Sequence, residues 1–258
     1  MTTASTTRMN ADALREVAGS CGCGASKRFE GAIEARKLSF ERDGRLVLSA
    51  INLRIAPGQT VAVLGANGAG KTTLLRCLAG LLRPTAGEVR WLGQSPQQNP
   101  ALRQAIGMVA HQDWLYGELT PRENLLFSAK MYGVPDATAR VDKLLSEAGL
   151  VPNANKATDQ LSHGMRRRLS VCRALVHDPP LLLFDEVFSG LDDVGQSWLQ
   201  RLITELRNRS RAICLTTHRI ELASSMSDRF VQLENGKLLN IAVASREIVQ
   251  ARCWEDAA

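Results

Sequence analysis

An eight-residue run, Gly65-Ala66-Asn67-Gly68-Ala69-Gly70-Lys71-Thr72, is the most informative part of this sequence. The apolar run from Thr60 to Leu64 precedes it and predicts a buried strand, and residues 71–82 follow it as a predicted helix that ends before Pro84. Glycines at this spacing let backbone N–H groups surround phosphate oxygens, and the start of the helix adds a favourable dipole. The run therefore predicts a phosphate-binding loop (P-loop) in which Lys71 contacts the terminal phosphates and Thr72 coordinates Mg²⁺.

The rest of the chain predicts strands that alternate with helices. The pattern indicates helices within 121–176 and between the last two strands, a hairpin at 230–241, and strands at 33–40, 46–55, 88–92, 106–110, 181–184 and 211–216. Such alternation predicts a mainly parallel α/β core. Together with the P-loop motif, this core resembles the P-loop NTPase (RecA-like) type. The early strands predict an antiparallel β subdomain, and residues from about 112 to 176 predict a helical subdomain.

Composition argues against a membrane-spanning chain. The longest apolar runs in the 258 residues are far shorter than the roughly 20 residues that cross a bilayer. The N-terminus has no apolar segment of the secretory type, so the sequence predicts a cytosolic protein. Residues 1–30 predict a disordered extension with a short helix around residues 11–18, and residues 242–258 predict a tail. The net charge of +6 suits an anionic membrane surface, a nucleotide or an ordinary solvated surface, and it distinguishes none of them.

The six cysteines lack the paired spacing of zinc sites. Cys77, Cys172 and Cys214 lie in apolar stretches, so we expect them to be small buried side chains. A metal-binding or redox role stays open for Cys21 and Cys23, although two thiols without further ligands make a poor metal site.

A second chemical signal is the pair Asp185-Glu186, which directly follows the apolar residues 181–184. Ligands bind at the carboxyl ends of strands in α/β sheets. There we expect Asp185 to hold Mg²⁺, directly or through water, and Glu186 to act as the general base that polarises the attacking water. The alternative is a solvated loop pair, and the presence of a P-loop in the same chain disfavours it.

Between these signals lies the run Leu161-Ser162-His163-Gly164-Met165-Arg166-Arg167-Arg168. Here the chain resembles the ABC ATPase family, whose signature has the form L-S-G-G-Q, and the resemblance extends over about residues 32–240. It implies an ABC ATP-binding domain at residues 31–241, with a helical signature subdomain, that binds and hydrolyses ATP with Mg²⁺. It also implies that a second ABC ATPase subunit, most simply in a homodimer, encloses the ATP, and that Ser162 and Gly164 act on the ATP of that partner.

The resemblance further assigns roles that spacing alone does not show. Gln112 matches the Q-loop glutamine that contacts Mg²⁺ and the attacking water, and His218 matches the switch histidine that contacts the terminal phosphate. Phe40 falls where the family places an aromatic side chain against adenine; the alternative for Phe40 is an ordinary core residue. The implied site comprises catalytic Glu186, His218 and Gln112; ATP-binding Phe40, Gly65, Ala66, Asn67, Gly68, Ala69, Gly70, Lys71, Thr72 and Thr73; Mg²⁺-binding Thr72, Gln112 and Asp185; signature residues Leu161, Ser162, His163, Gly164 and Met165; and the D-loop residue Asp192.

The sequence departs from the family pattern at two places. The signature contains His163 and Met165, which we expect to alter the rate or the fit to the partner while leaving activity in place. Val187 stands where the family usually has proline, which would stiffen the loop without changing the chemistry. The run of arginines at 166–168 would by itself suggest nucleic acid. On this helix we expect one structural arginine with two solvated neighbours, and no nucleic-acid partner.

Within the family the sequence is most similar to exporters. Segments 33–45, 79–91 and 173–180 resemble the ATP-binding subunit of the haem exporter used in cytochrome c maturation. This implies an ATPase that energises separate integral membrane permease subunits and lies peripherally at the cytoplasmic face of the inner membrane. The N-terminal extension departs from that subgroup. Two alternatives stay open: an exporter ATPase for a lipid, polysaccharide or drug, and a soluble ABC ATPase that remodels a protein assembly, as in iron–sulfur cluster biogenesis.

Residues 113–119 are unusually apolar for a loop. One hypothesis is that Trp114, Leu115 and Leu119 fill the joint between two subdomains. The other is that aromatic side chains here help to form a groove that receives a short cytoplasmic helix of the membrane subunit, as the family resemblance implies.

Overall fold

The structure, a computed structural model, describes residues 32–96 and 98–241. Strands and helices alternate along these ranges, as the sequence predicts. The strands are β1 (Ile33–Arg42), β2 (Arg45–Ile55), β3 (Thr60–Leu64), β4 (Ala86–Trp91), β5 (Ile106–Val109), β6 (Leu181–Asp185), β7 (Ala212–Thr216), β8 (Arg229–Glu234) and β9 (Lys237–Ile241). The α-helices are α1 (Lys71–Leu78), α2 (Pro121–Met131), α3 (Ala137–Glu147), α4 (His163–Leu175), α5 (Asp193–Asn208) and α6 (Ile220–Ser224).

The described strands form two sheets. The smaller sheet is antiparallel with the order β2-β1-β4, and it is the predicted antiparallel β subdomain. The larger sheet has the order β5-β6-β7-β3-β8-β9 and is parallel except for β9, which forms the predicted hairpin with β8. Parallel strands connected through helices confirm the predicted P-loop NTPase core.

The larger sheet is covered on both faces, which explains why its central strands are apolar at nearly every position. Side chains alternate across a strand. In β3, Val61 and Val63 therefore belong to the core shared with α1 and the smaller sheet, whereas Ala62 and Leu64 belong to the core shared with α2 to α6.

Helix boundaries follow from capping groups. α2 begins after Thr120, whose hydroxyl accepts from the Glu123 N–H at 3.2 Å while the Glu123 carboxylate accepts from the Thr120 N–H at 2.9 Å. α1 ends at Leu78, earlier than the predicted residue 82, because Gly80 adopts a left-handed conformation (φ +69°) and closes the last turn. The prediction relied on Pro84 as the stop signal and overlooked this glycine.

The helices α2, α3 and α4 pack against one another beside the larger sheet. Arg140 of α3 donates to the carbonyl oxygens of Leu175 at 2.6 Å and Val176 at 3.2 Å. These carbonyls lie at the end of α4, where no intrahelical donor is available. The guanidinium therefore fixes α3 against the carboxyl end of α4.

Several sequence predictions lie outside the described residues: the disordered extension at 1–30 with its short helix, the Cys21/Cys23 pair and the tail at 242–258. Inside the described ranges, Cys77, Cys172 and Cys214 are buried as predicted, and burial raises the pKa of each thiol to about 12. No helix in residues 32–96 and 98–241 combines the length and hydropathy needed to cross a membrane.

Candidate active site

Three neighbouring strands of the larger sheet end at one edge and assemble the site. β6, β7 and β3 lie side by side and parallel, so their carboxyl ends meet. The P-loop follows β3, Asp185 is the last residue of β6, and His218 follows β7 by two residues. Signals far apart in the sequence are thus brought to one place, as expected for the ligand-binding edge of an α/β sheet.

Close contacts at its glycines fix the P-loop. A Cβ on Gly65 would lie 2.4 Å from the carbonyl oxygen of Leu233, and one on Gly70, whose φ is +104°, would lie 3.0 Å from a core side chain. Lys71 is 7% exposed, and its ammonium donates to the carbonyl oxygens of Gly65 at 2.7 Å and Ala66 at 3.1 Å. A cation held at the centre of such a loop is placed for phosphate oxygens.

Asp185 is fully buried, and its carboxylate accepts hydrogen bonds from two hydroxyl groups. Thr216 Oγ1 donates to one carboxylate oxygen and Thr72 Oγ1 to the other, each at 2.8 Å. Mg²⁺ prefers oxygen ligands and is commonly held by one carboxylate together with substrate phosphates. The pair of Thr72 and Asp185 beside Lys71 supplies such oxygens, so these residues fit the predicted metal. Gln112 is not part of this pair.

Glu186 lies between two cationic or potentially cationic groups. Its carboxylate is 3.6 Å from the ammonium of Lys71 and 3.1 Å from His218 Nδ1. Its backbone has a positive φ of 48°, and its N–H lies near both the carbonyl and the hydroxyl oxygen of Thr216, at 3.2 Å and 3.0 Å. These contacts hold the carboxylate at the sheet edge, where it faces the space beyond the P-loop.

Two cavities adjoin the P-loop. The catalytic cavity, about 480 Å³, is lined by Lys71, Thr72, Thr73, Glu186 and His218 together with His111 and Ser189. The hairpin cavity, about 980 Å³, lies between the β1–β2 and β8–β9 hairpins and the first half of the P-loop, Gly65 to Ala69. Asn67, Gly68, Val47 and His218 line both cavities, so the two are adjacent. Both volumes are within the range of ligand sites.

The signature residues lie apart from both cavities of their own chain. Ser162 is exposed, and its hydroxyl caps α4 by accepting from the Met165 N–H at 3.2 Å. His163 packs on Gly190, two residues before Asp192 in the predicted D-loop, because a Cβ on Gly190 would lie 1.8 Å from His163 Nδ1. Asp192 caps α5 by accepting from the Gly195 N–H at 2.9 Å. Leu161 is buried and anchors the segment in the helical core.

Two residues of the predicted site, Gln112 and Phe40, do not line the cavities beside the P-loop. Gln112 is exposed and lines neither cavity, whereas its neighbour His111 lines the catalytic cavity. Phe40 is half-buried against the core, opposite Leu48 in β2, and also lines neither cavity. The roles of Gln112 on the attacking water and of Phe40 on adenine stay predictions.

The three arginines at 166–168 match the prediction only in part. Arg167 is 1% exposed and is the expected structural arginine; it donates to the carbonyl oxygens of Ala110 at 2.7 Å and His111 at 3.3 Å. Arg166 and Arg168 are not the solvated neighbours that were predicted, because both are half-buried and donate to backbone carbonyls. Burial lowers the pKa of Arg167, and the charge of Asp113 opposes that change. Arg167 thereby links the signature helix to the segment that carries Gln112.

Comparison with known proteins agrees with this geometry. The family model described as "ABC transporter" matches residues 48–189, more than half of the chain. The chain belongs to the ABC transporter family. A Nod factor export ATP-binding protein I from Rhizobium etli is 37% identical over 214 residues, which cover 82% of this chain and 68% of that protein. The ABC transporter ATP-binding protein NatA of Bacillus subtilis is 33% identical over 193 residues, covering 73% and 78%.

A solved structure titled "Structure of ATP binding subunit of ABC transporter" superposes with a TM-score of 0.77 at 29% identity, covering 86% of this chain and 93% of that one. Family membership together with the site establishes an ATP-binding and ATP-hydrolysing subunit of the ABC type. As an ABC ATPase, the chain has its P-loop, its Asp185-Glu186 pair and its His218 at one sheet edge, and its signature on a separate exposed surface.

Proposed function

We propose that this ABC ATPase is the energising subunit of an export complex, with Mg²⁺ as its metal and integral membrane permease subunits as its partners, at the cytoplasmic face of the inner membrane. The observation that carries the proposal is the cluster of Lys71, Glu186 and His218 beside the P-loop, in which Glu186 lies 3.6 Å from Lys71 and 3.1 Å from His218. Exporter names among the related proteins support the transport part of the proposal.

The residues of the cluster would have different roles in ATP hydrolysis. Lys71 would leave its P-loop carbonyls to contact the terminal phosphates, and Glu186 would orient and polarise the attacking water as general base. His218 would contact the terminal phosphate and keep the Glu186 carboxylate in place. Mg²⁺ held by Thr72 and Asp185 would neutralise phosphate charge.

A second copy of the chain would complete the site. The signature serine and glycine, Ser162 and Gly164, lie outside the nucleotide cavities of their own chain, and Ser162 is exposed at the start of α4. A helix start presents free N–H groups and a favourable dipole to an anion. We therefore assign this surface to the terminal phosphate bound by a partner subunit, in a nucleotide-sandwich homodimer.

The permease would dock in a cleft between the larger sheet and α2 and α4, here called the interlayer cleft. It has a volume of about 450 Å³, and Trp114, Tyr132, Leu81, Arg103 and Arg173 are among its lining residues. Trp114, Leu81 and Tyr132 are 42%, 55% and 38% exposed, which is high for such large apolar side chains. Leu115 packs against the helical core, as the joint-filling hypothesis requires, whereas Trp114 is exposed, as the docking hypothesis requires.

The charge of the interlayer cleft specifies the partner further. Arg103 and Arg173 line it, and none of its described lining residues is Asp or Glu. Arg173 lies 5.8 Å from the Trp114 ring, and its buried Nε has no hydrogen-bond partner among the described residues. Burial lowers the pKa of this guanidinium. A short permease helix that carries a large apolar side chain and a carboxylate would match both features.

The docking proposal is tested by membrane association of three variants of the full chain. Trp114→Ala with Tyr116→Ala, and Arg173→Gln alone, are expected to reduce association with native membranes severalfold while thermal melting and ATPase activity of the isolated subunit stay unchanged. Val194→Ala is the matched control, since Val194 is an exposed apolar residue (69%) on α5. Loss of folding in the Trp114 variant would favour the joint-filling hypothesis, and unchanged association in both would reject docking at this cleft.

The cargo is the finer part of the proposal. Haem is our first candidate because segments 33–45, 79–91 and 173–180 resemble the haem exporter ATPase. The names of related proteins favour a cargo other than haem, because several are named for Nod factor export. Cargo contacts belong to the permease, so this chain does not choose between them.

Co-purification from native membranes tests export and cargo together. The tagged Glu186→Gln chain is expected to retain a permease partner, and the wild-type complex is expected to raise its ATPase rate when haem is added. A permease partner without a haem response would reject haem and retain export. Absence of any permease partner, with full ATPase activity in the soluble fraction, would reject the exporter proposal in favour of the soluble alternative.

A further inference from the structure

The segment from Glu186 to Gly190, here called the catalytic loop, reaches from the catalytic cavity to the start of the signature helix α4. Glu186 and Ser189 line the catalytic cavity. Gly190 contacts the residues that begin α4, because a Cβ on Gly190 would lie 1.8 Å from His163 Nδ1, and a Cβ on Gly164 would lie 3.1 Å from the Gly190 carbonyl oxygen. Neighbouring residues of the catalytic loop therefore face the chain's own nucleotide site and its signature segment.

The catalytic loop is compact and anchored. The Ser189 N–H donates to the Glu186 carbonyl oxygen at 3.0 Å. Val187 and Phe188, the residues within this turn, are buried in the helical core. Arg167 of α4 lies with its Nε 3.5 Å from the Ser189 carbonyl oxygen. Closely packed segments have little free space in which to absorb a displacement, so a shift at one end of the loop reaches the other end.

The contact with Gly190 depends on the side chain at position 163. His163 is exposed, lines neither cavity beside the P-loop and has no hydrogen-bond or ion-pair partner among the described residues. Its ring lies over the α-carbon of Gly190, whose left-handed backbone (φ +77°) carries no side chain that would fill that space. The family signature L-S-G-G-Q has glycine at this place, and a glycine would leave the space beside Gly190 empty.

We propose that His163 is a positioning residue, whose ring holds the start of α4 against Gly190 so that the catalytic loop of a chain sets the position of the signature surface offered to its partner. The inference rests on the proposed nucleotide-sandwich homodimer and specifies how that dimer is regulated. When the terminal phosphate leaves, a shift at Glu186 would pass through Gly190 to the His163 ring and move Ser162 away from the partner's ATP. Hydrolysis in one site would thereby loosen the other.

The inference is tested by ATP-dependent dimerisation of the full chain, measured by sedimentation velocity in the Glu186→Gln background with Mg²⁺ and saturating ATP. His163→Ala removes the ring and is expected to raise the dimer dissociation constant about tenfold, the order of the coupling between residues in contact. The Kd for ATP of the monomeric chain and the melting temperature should stay unchanged, because His163 is exposed and lines neither cavity. His163→Phe keeps a planar ring and removes both ring nitrogens, so it should restore dimerisation.

Gly190→Ala disturbs the same contact from the other side. Its Cβ would overlap His163 Nδ1, and the exposed ring can swing outward to make room. We expect Gly190→Ala to weaken the dimer about as much as His163→Ala does, and to add nothing in a chain that already carries His163→Ala. Gly133→Ala is the matched control, because Gly133 also has a left-handed backbone (φ +62°) but a Cβ there would meet no described atom within 4 Å. It should lower the melting temperature and leave the dimer unchanged.

Three results would overturn the role of His163. They are unchanged dimerisation in His163→Ala, failure of His163→Phe to restore the dimer, and additive losses from His163→Ala and Gly190→Ala. The second of these would indicate that a ring nitrogen contacts the partner's phosphate directly. Absence of a dimer in the Glu186→Gln chain that carries no further substitution would instead overturn the homodimer on which the inference rests.

Discussion

Lys71 and Glu186, to which phosphate binding and water activation are assigned in the proposed mechanism, lie in different environments. Lys71 is almost fully buried among P-loop carbonyls, whereas Glu186 lies at the strand end with His218 at 3.1 Å. A buried cation facing phosphate contributes to nucleotide affinity, and a carboxylate facing the water contributes to the rate. A substitution of Lys71 should therefore weaken nucleotide binding, and a substitution of Glu186 should slow hydrolysis.

Lys71→Ala is expected to lose most nucleotide affinity, by about tenfold or more, because it removes a charge-assisted contact to phosphate. Glu186→Gln is expected to bind ATP normally and to hydrolyse it at least about a hundredfold more slowly, the order of a lost general base. Calorimetry measures the ATP affinity of the Lys71 variant, and phosphate release measures the hydrolysis rate of the Glu186 variant. Wild-type turnover by Glu186→Gln would show that Glu186 is not the base.

His177 provides a pH dependence of stability. It stacks on Tyr132 at 3.8 Å between ring centroids, and Nε2 lies 3.1 Å from the Ile106 carbonyl oxygen. Burial lowers the pKa of His177 from 6.5 to about 4, with Arg140 and Arg173 adding to that decrease and Asp178 and the Ile106 contact opposing it. Between these two values the unfolded chain binds more protons than the folded chain, so stability is present above pH 6.5 and is lost as the pH falls toward 4.

We expect the free energy of unfolding to fall by as much as about 3 kcal/mol from this group between pH 6.5 and 4. Urea unfolding across that pH range measures it. The His177→Phe variant keeps a ring for the stack on Tyr132 and cannot titrate, so its pH dependence should be flatter by the same amount. Equal slopes for the two proteins would exclude His177 as the source.

At the level of elements, the β1–β2 hairpin lies against the β8–β9 hairpin, and together they wall the hairpin cavity. Gly236 permits this approach, and a Cβ there would lie 2.3 Å from the Val47 carbonyl oxygen. Gly44 at the tip of the other hairpin has the same φ of +73°, but a Cβ added to it would meet no atom within 4 Å. Comparing substitutions at the two glycines therefore separates the cost of a left-handed backbone from the cost of the close contact.

Gly44→Ala is expected to cost about 1 kcal/mol of unfolding free energy, because only the left-handed conformation is penalised. Gly236→Ala is expected to cost about 1–3 kcal/mol more, since the backbone must also move away from Val47. Chemical denaturation measures both costs, and equal costs at the two sites would contradict the packing contact.

The signature helix α4 is the element that connects the parts of the site. Arg167 on this helix donates to the Ala110 and His111 carbonyls, and it lies 3.7 Å from the Asp113 carboxylate. His163 at the helix start packs on Gly190 of the D-loop. A displacement of α4 would therefore move the segments before and after it, which provides a physical route between the nucleotide and the interlayer cleft.

At the scale of the whole molecule, the nucleotide cavities and the signature surface are separate on one chain, which favours assembly of two chains around ATP. Glu186→Gln with saturating ATP and Mg²⁺ is expected to elute as a dimer in size-exclusion chromatography. The double variant with Ser162→Arg should elute as a monomer yet bind ATP with unchanged affinity, because Ser162 is outside the cavities. Its lost helix cap costs only about 1 kcal/mol. Monomers in both cases would count against the sandwich.

The sequence by itself determined the α/β fold, the P-loop, the acidic pair after β6 and the buried cysteines. These are local signals: apolar strands, glycines at fixed spacing and carboxylates at a strand end are legible without knowledge of distant contacts. The start of α2 is also a local feature, because the capping box lies within four consecutive residues, Thr120 to Glu123.

Only the tertiary structure decided which residues share a cavity. Phe40 and Arg42 are two positions apart in one strand, yet Phe40 packs on the core and Arg42 lines the hairpin cavity, because β1 contains register shifts around Phe40. Likewise, three adjacent arginines look equivalent in sequence, and only packing of α4 against the segment after β5 buries Arg167. Such outcomes depend on contacts between elements far apart in the chain, which local patterns do not encode.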